Sequence, residues 1–164
     1  MKVRQAEPRD VSSIERLFHE LLECLQGLGQ KWYKQDKAEL RNGVAGFIIG
    51  KMFQEDGLVL VSEDKNGEVE GFLIGGIVHY SKIFEHEILG EIQWLYPISL
   101  KELPTFSRKM ANIFEVWART KGATAGSNYC LPGNEQAQRL MEHDGREKVF
   151  YYYIKPYLPV GGQK

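Results

Sequence analysis

Asn66-Gly67 sits between two β-rich runs, and this constrains the fold more than any other stretch of the chain. An Asn-Gly pair favours the tight turns that reverse a strand. Leu58 to Glu63 before it and Glu68 to Tyr80 after it therefore read as an antiparallel hairpin. The connection SKIFEH leads on to a third strand, Glu87 to Tyr96. The centre of the chain is thus expected to be a three-stranded antiparallel meander.

Helical patterns flank this meander. MKVRQA reads as a short opening strand, and Pro8 and Asp10 suit the first turn of the helix that follows. Val11, Ile14, Phe18, Leu21 and Leu25 recur at helical spacing and make one apolar face, which QGLGQ ends. Asp36 can cap a second helix running to about Gln54. Its Gly43, Gly46 and Gly50 imply either close helix packing or a weak helix. After Tyr96 two helix starts compete. Ser99 and Glu102 have capping-box spacing, but that start would bury Pro104 inside the helix. The main helix is therefore expected from Pro104, with Phe106, Met110, Ile113 and Trp117 inward and Gly122 as its left-handed cap. Thr124 to Cys130 is a further strand. Asn134 caps a short helix with Ala137, Leu140 and Met141 inward, and Gly145 ends it. Lys148 to Lys155 is a last strand. The order β-α-α-β-β-β-α-β-α-β predicts an α/β (α+β) mixed sheet with helices on its faces. One domain spans residues 1–155, and residues 156–164 form a loose tail.

Charge and cysteine content narrow the function. A net charge of −1 gives no global field to draw the chain to nucleic acid or an acidic membrane. Cys24 and Cys130 match no metal spacing and read as reduced, partly buried thiols. The N-terminus lacks the apolar segment of a secretory signal, and no apolar run approaches the ~20 residues needed to span a bilayer. The expected compartment is the cytoplasm.

Four stretches carry a family likeness: VRQAEPRDVSSIERLF, EIQWLY, FEVWARTKGA and NEQAQRLMEHDG. In their order and spacing they resemble the first strand and helix, the fourth strand, the end of the third helix, and the later helix of the GCN5-related N-acetyltransferase (GNAT) superfamily. The resemblance covers nearly the whole chain to about Lys155, and short phage-encoded proteins of this type are similar in size. It implies the acyl-CoA N-acyltransferase fold, acetyl-CoA as co-substrate and an amine acceptor. The chain also departs from the family pattern. The signature Q/R-x-x-G-x-G/A should fall near ELPTFS, Glu102 to Ser107, where both glycines are missing. Met141 stands where the family usually has a tyrosine.

The resemblance assigns roles by position. Glu91 matches the family's base glutamate, and a carboxylate drawn partly out of water moves toward useful basicity. Strand alternation puts Glu91, Gln93 and Leu95 on one face and Ile92, Trp94 and Tyr96 on the other. The backbone of Trp94, Leu95 and Tyr96 is expected to hold the pantetheine arm, with a bulge near Leu95 to Pro97 aiming an N–H at the thioester. Asn134 lines the other side of that arm. At the helix start, Pro104 removes one donor, while Thr105, Phe106 and Ser107 keep theirs and Arg108 adds charge. That start can either hold a pyrophosphate or bind nothing. Tyr129 could replace the missing tyrosine as general acid, or pack in its strand. His79 and His86 flank the SKIFE connection and could contact an acceptor. The sheet lacks its last strand, and the open edge invites the Tyr151 to Tyr153 strand to pair with a partner chain as a homodimer. The alternative to an enzyme is a GNAT-fold binding or assembly module without activity.

Overall fold

The computed structural model describes residues 2–27, 37–80, 82, 87–96, 103–128, 135, 138, 139 and 142, and the side chains of these apart from 37–41 and 103–107. Its elements are β1 (Lys2–Gln5), a 3-10 turn (Pro8–Asp10), α1 (Val11–Gly27), α2 (Lys37–Phe53), β2 (Gly57–Glu63), β3 (Val69–His79), β4 (Ile88–Tyr96), α3 (Leu103–Thr120) and β5 (Ala125–Asn128). They form a five-stranded sheet in the order β1-β2-β3-β4-β5. The first four strands pair antiparallel, and β5 joins β4 in parallel. The expected mixed sheet is therefore observed. The expected strand at Lys148 to Lys155 and the tail at 156–164 lie outside the described residues, as do His86, Cys130 and Met141.

The hairpin forms at Asn66-Gly67, but not as the two-residue mirror-image turn. That turn needs positive φ at both residues, and here only Gly67 has it, at 84°. Asp64 organises the reversal. One of its carboxylate oxygens accepts the N–H groups of Asn66 and Glu68 at 2.8 and 2.9 Å. These bonds hold the Asp64 carboxyl below the usual carboxylate range.

Two apolar cores fill the two faces of the sheet. On one face α1 and α2 bury Ile14, Phe18, Leu21 and Ile48 against Val59, Val61, Phe72 and Ile74. On the other face α3 buries Met110, Phe114 and Ala118 against Leu58, Leu60, Leu73 and Ile92. Phe114 is fully buried and replaces Ile113 at the centre of the expected helix face, while Ile113 and Trp117 pack at its margin. α3 starts at Leu103, one residue before Pro104. A proline in a first turn costs no intrahelical bond, because its missing N–H would have no partner there.

Glycines set how closely the layers approach. A Cβ on Gly75 would stand 2.4 Å from the Phe114 ring and 2.6 Å from the Glu91 carbonyl oxygen, and one on Gly90 would stand 2.6 Å from the Ala118 methyl. α3 therefore lies directly on β3 and β4. The glycines of α2 behave differently. Among the described residues nothing comes within 4 Å of a Cβ placed on Gly43, Gly46 or Gly50. Among the described residues close packing is not their role, and what remains there is their cost to the helix. Cys24, expected to be partly buried, is exposed on α1.

A buried ion cluster ties β1 to the first turn and to β2. Arg4 donates two parallel hydrogen bonds to Asp10, at 2.7 and 2.9 Å, and its Nε donates to Glu63 at 2.7 Å. Asp10 also accepts the Glu7 N–H at 2.7 Å. The Arg4 guanidinium holds the Asp10 carboxyl below its ordinary value, and the two carboxylates raise Arg4.

A native-state carboxyl that is lowered adds stability above its unfolded value, near 3.8 here, and loses it as pH falls through the lower folded value. The urea midpoint should therefore fall as pH drops below ~4, and fall less steeply in Asp10→Asn; equal slopes would rule out this cluster as the acid-sensitive element. Arg4→Met should cost about 3 kcal/mol, because it strands two carboxylates. Gly46→Ala should stabilise by about 1 kcal/mol, whereas Gly75→Ala should destabilise by about 2 kcal/mol through its clash with Phe114. Thermal melts of the pair check the contrast in sign.

Candidate functional site

The site is built around one irregularity in β4. Ile74 of β3 pairs with Trp94, but the next residue, Gly75, pairs with Ile92. Gln93 is thus an extra residue, a β-bulge. It lies ahead of the stretch from Leu95 to Pro97 where the resemblance places the bulge, and Pro97 itself is outside the described residues.

The bulge overturns the expected alternation. Gly90 and Ile92 face α3, so Glu91 between them faces the α1 and α2 side. Register partners across a sheet share a face, so Gly57, Gly76, Glu91 and Ser127 form one row on that side. The extra residue then shifts the pattern. Leu95 packs in the α3 core together with Ile92, while Trp94 and Tyr96 pack in the α1 core. Glu91, Trp94 and Tyr96 consequently share a face that simple alternation had divided.

Glu91 is 5% exposed. Gln93 Nε2 donates to its Oε1 at 2.9 Å, which fixes the carboxylate's orientation. The end of β4 is clamped by aromatic rings. Phe18 of α1 lies 4.7 Å from Trp94 and 5.7 Å from Phe72 between ring centroids, and Phe72 stacks on Tyr96 at 6.1 Å. The Tyr96 hydroxyl donates to Glu20 Oε2 at 2.9 Å. Burial, then the Glu20 carboxylate, pushes the Tyr96 phenol up to about 12. Tyr96 therefore stays protonated at neutral pH and anchors β4 to α1.

The ladder between β4 and β5 covers Leu89–Ala125, Gly90–Gly126, Glu91–Ser127 and Ile92–Asn128. β4 continues to Tyr96, pairing with β3 throughout. Among the described residues, the β5-side edge of Gln93 to Tyr96 has no strand paired to it. α3 brings its first turn toward that edge. Ala118 sits over Gly90 and Phe114 over Gly75, so the helix runs antiparallel to β4 and its N-terminus lies toward the C-terminal end of the strand. The backbone of Thr105, Phe106 and Ser107 occupies that first part of the helix, and Arg108 is exposed just after it.

The expected site residues thus divide into two groups. Glu91, Trp94, Leu95 and Tyr96 lie on the last six residues of one strand, and Thr105 to Arg108 lie on the helix that returns along it. Tyr129 and Asn134 are outside the described residues. Exposed His79 ends β3, away from the bulge. Sequence reasoning missed Ser127 and Lys51, because only strand register brings Ser127 beside Glu91 and only helix packing brings Lys51 over Gly76, the register partner of Glu91. Among the described residues no group of three or more His, Cys, Asp or Glu could hold a metal ion. No described helix is long and apolar enough to cross a membrane.

No family model matches the sequence, and neither does any curated protein. Solved structures do match in shape. A mutant of the BH1408 protein from Bacillus halodurans superposes with a TM-score of 0.79 at 15% identity, covering 96% of this chain and 100% of that one. The aminoglycoside 6'-N-acetyltransferase AAC(6')-Ih from Acinetobacter baumannii gives 0.69 at 13%, over 96% and 99%. The aminoglycoside N-acetyltransferase AAC(6')-Iy, solved in complex with CoA, gives 0.74 at 12%, over 95% and 93%. The parallel β4–β5 pair, the bulged β4 and the helix between them thus belong to a chain with the fold of the GNAT acetyltransferases.

Proposed function

We propose that the chain is an acetyl-CoA-dependent N-acetyltransferase that acts on a primary amine. The observation that carries this reading is the β4–β5 ladder, which among the described residues ends at Ile92–Asn128 while β4 runs on to Tyr96 beside the first turn of α3. A pantetheine arm is a chain of amides. An unpaired strand edge offers it backbone donors and acceptors, as a sheet edge offers them to an added peptide strand. The β5-side backbone of Trp94, Leu95 and Tyr96 supplies that edge. The N–H groups of Thr105, Phe106 and Ser107 and the charge of Arg108 suit the pyrophosphate, at the positive end of the α3 dipole. Asn134 completes the pantetheine side in this proposal. The likeness in shape to AAC(6')-Iy, solved with CoA, supports the same assignment.

The chemistry needs few groups. Glu91 takes a proton from the ammonium, and the freed amine nitrogen attacks the thioester carbonyl carbon. A backbone N–H at the bulge stabilises the oxyanion. The C–S bond then breaks and the acetyl group stays on nitrogen as an amide. A thiol has a pKa near ~8.5, so the thiolate leaves without a strong acid, and Tyr129 is the candidate to protonate it.

Calorimetric titration with acetyl-CoA should give saturable heat. Glu91→Gln should keep that binding and lower thiol release in the presence of an amine acceptor by ~100-fold or more. Unchanged turnover would remove Glu91 as the base. No heat at millimolar acetyl-CoA would favour a binding module that retains only the fold, the reading to which the missing glycines of ELPTFS point.

A further inference from the structure

Among the described residues, three polar groups around Glu91 lack partners. Gln93 Oε1 and Ser127 Oγ are both shut off from water, and neither has a hydrogen-bond partner among the described residues. The Gln93 amide is not free to reverse. Its Nε2 donates to Glu91, and the flipped amide would set oxygen against oxygen, so Oε1 stays a bare acceptor. Ser127 is the register partner of Glu91 in β5, one strand spacing away. Buried acceptors of this kind cost stability unless something else donates to them.

The third group is a cation on the opposite side of Glu91. Gly76 is the register partner of Glu91 in β3. Lys51 Nζ, from the last turn of α2, stands 3.2 Å from the point where a Cβ on Gly76 would be. Lys51 is half-buried, and no hydrogen bond or ion pair holds its ammonium among the described residues. The missing side chain at Gly76 is what lets Lys51 reach the sheet. One row of the sheet thus offers bare acceptors around Glu91 and Ser127 and an unpaired cation over Gly76, which lies about one strand spacing, ~4.8 Å, from Glu91 and two from Ser127.

We infer that the amine acceptor is a free amino acid. Its ammonium binds between Glu91, Gln93 Oε1 and Ser127 Oγ, and its carboxylate binds Lys51. This rests on the acyl-transfer reading above. An ammonium has three N–H donors and the three acceptors take them. An amino acid places its two charges on either side of one carbon, a span that fits inside one strand spacing. The transfer is balanced. Glu91 takes one proton from the ammonium, nitrogen bonds to the acetyl carbon, the C–S bond breaks, and the CoA thiolate takes up a proton. The product keeps its carboxylate and loses its cation.

The test is thiol release by the full chain at saturating acetyl-CoA, with three sets of acceptors: the free amino acids, their carboxamides, and phosphoethanolamine. At least one free amino acid should turn over with kcat/KM at least tenfold above its carboxamide. Lys51→Met should raise KM for the free amino acid and leave the carboxamide unchanged, and Lys51→Arg should restore the preference. Gln93→Leu should raise KM for both forms. Carboxamides that match the free acids overturn the proposal, as does equal impairment of both forms in Lys51→Met. So does turnover of phosphoethanolamine alone, which would make the anion a phosphate. Acetyl-CoA binding with no amino acid acetylated overturns this inference and leaves the acyl-transfer reading in place. Loss of acetyl-CoA binding itself removes both.

Discussion

β4 has one residue more than β3 can pair. That surplus, Gln93, sits where Gly75 lies under the Phe114 ring, and much of the site depends on it. Before it, odd and even residues face the two cores as any strand requires. After it, the pattern is offset by one. Trp94 and Tyr96 therefore turn toward α1 on the same side as Glu91, and Leu95 stays with α3. The bulge also brings the Gln93 amide onto the Glu91 carboxylate. A side chain that would otherwise serve packing becomes the group that orients a buried acid.

Two further constraints hold the bulge in place. From one face, α3 rests on Gly75 and Gly90, where any side chain would meet Phe114 or Ala118, so the helix cannot drift without opening the core. From the other face, α1 grips the end of β4 through the Phe18, Phe72, Trp94 and Tyr96 rings and the Tyr96–Glu20 hydrogen bond. The Arg4–Asp10–Glu63 cluster pins the first strand, and thereby the entry to α1, to β2. The end of β4 is thus rigid on three sides. Its fourth side, toward β5, has no paired strand beyond Ile92–Asn128 among the described residues. Rigid surroundings with one unpaired edge suit a ligand that binds as an extra strand.

The outline was legible in the sequence because it rests on local signals. Asn66-Gly67 marked the hairpin, Gly122 marked the end of α3 with φ at 89°, and the spacing of Ile14, Phe18, Leu21 and Leu25 gave the buried stripe of α1. The face of each β4 residue was not legible. A bulge has no composition signature in QWLY, and one extra residue reverses the side assignment of those beyond it. Phe114 escaped because its place is set by the absence of a side chain at Gly75, far away in the chain. Ser127 and Lys51 escaped for the same reason: pairing sets Ser127 beside Glu91 and packing sets Lys51 over Gly76, each across a long separation. For the α2 glycines the sequence left close packing and a weak helix both open, and among the described residues nothing approaches them.

The central claim is that the β5-side backbone of Gln93 to Tyr96 is an edge that receives the CoA arm. Amide hydrogen exchange followed residue by residue, with and without CoA, measures this directly. In the free protein, amides on that edge should exchange much faster than those of Leu89 to Ile92, and CoA should slow the edge amides together with those at the start of α3. Edge amides as protected as the rest of β4 in the free protein, and unaltered by CoA, would contradict the account.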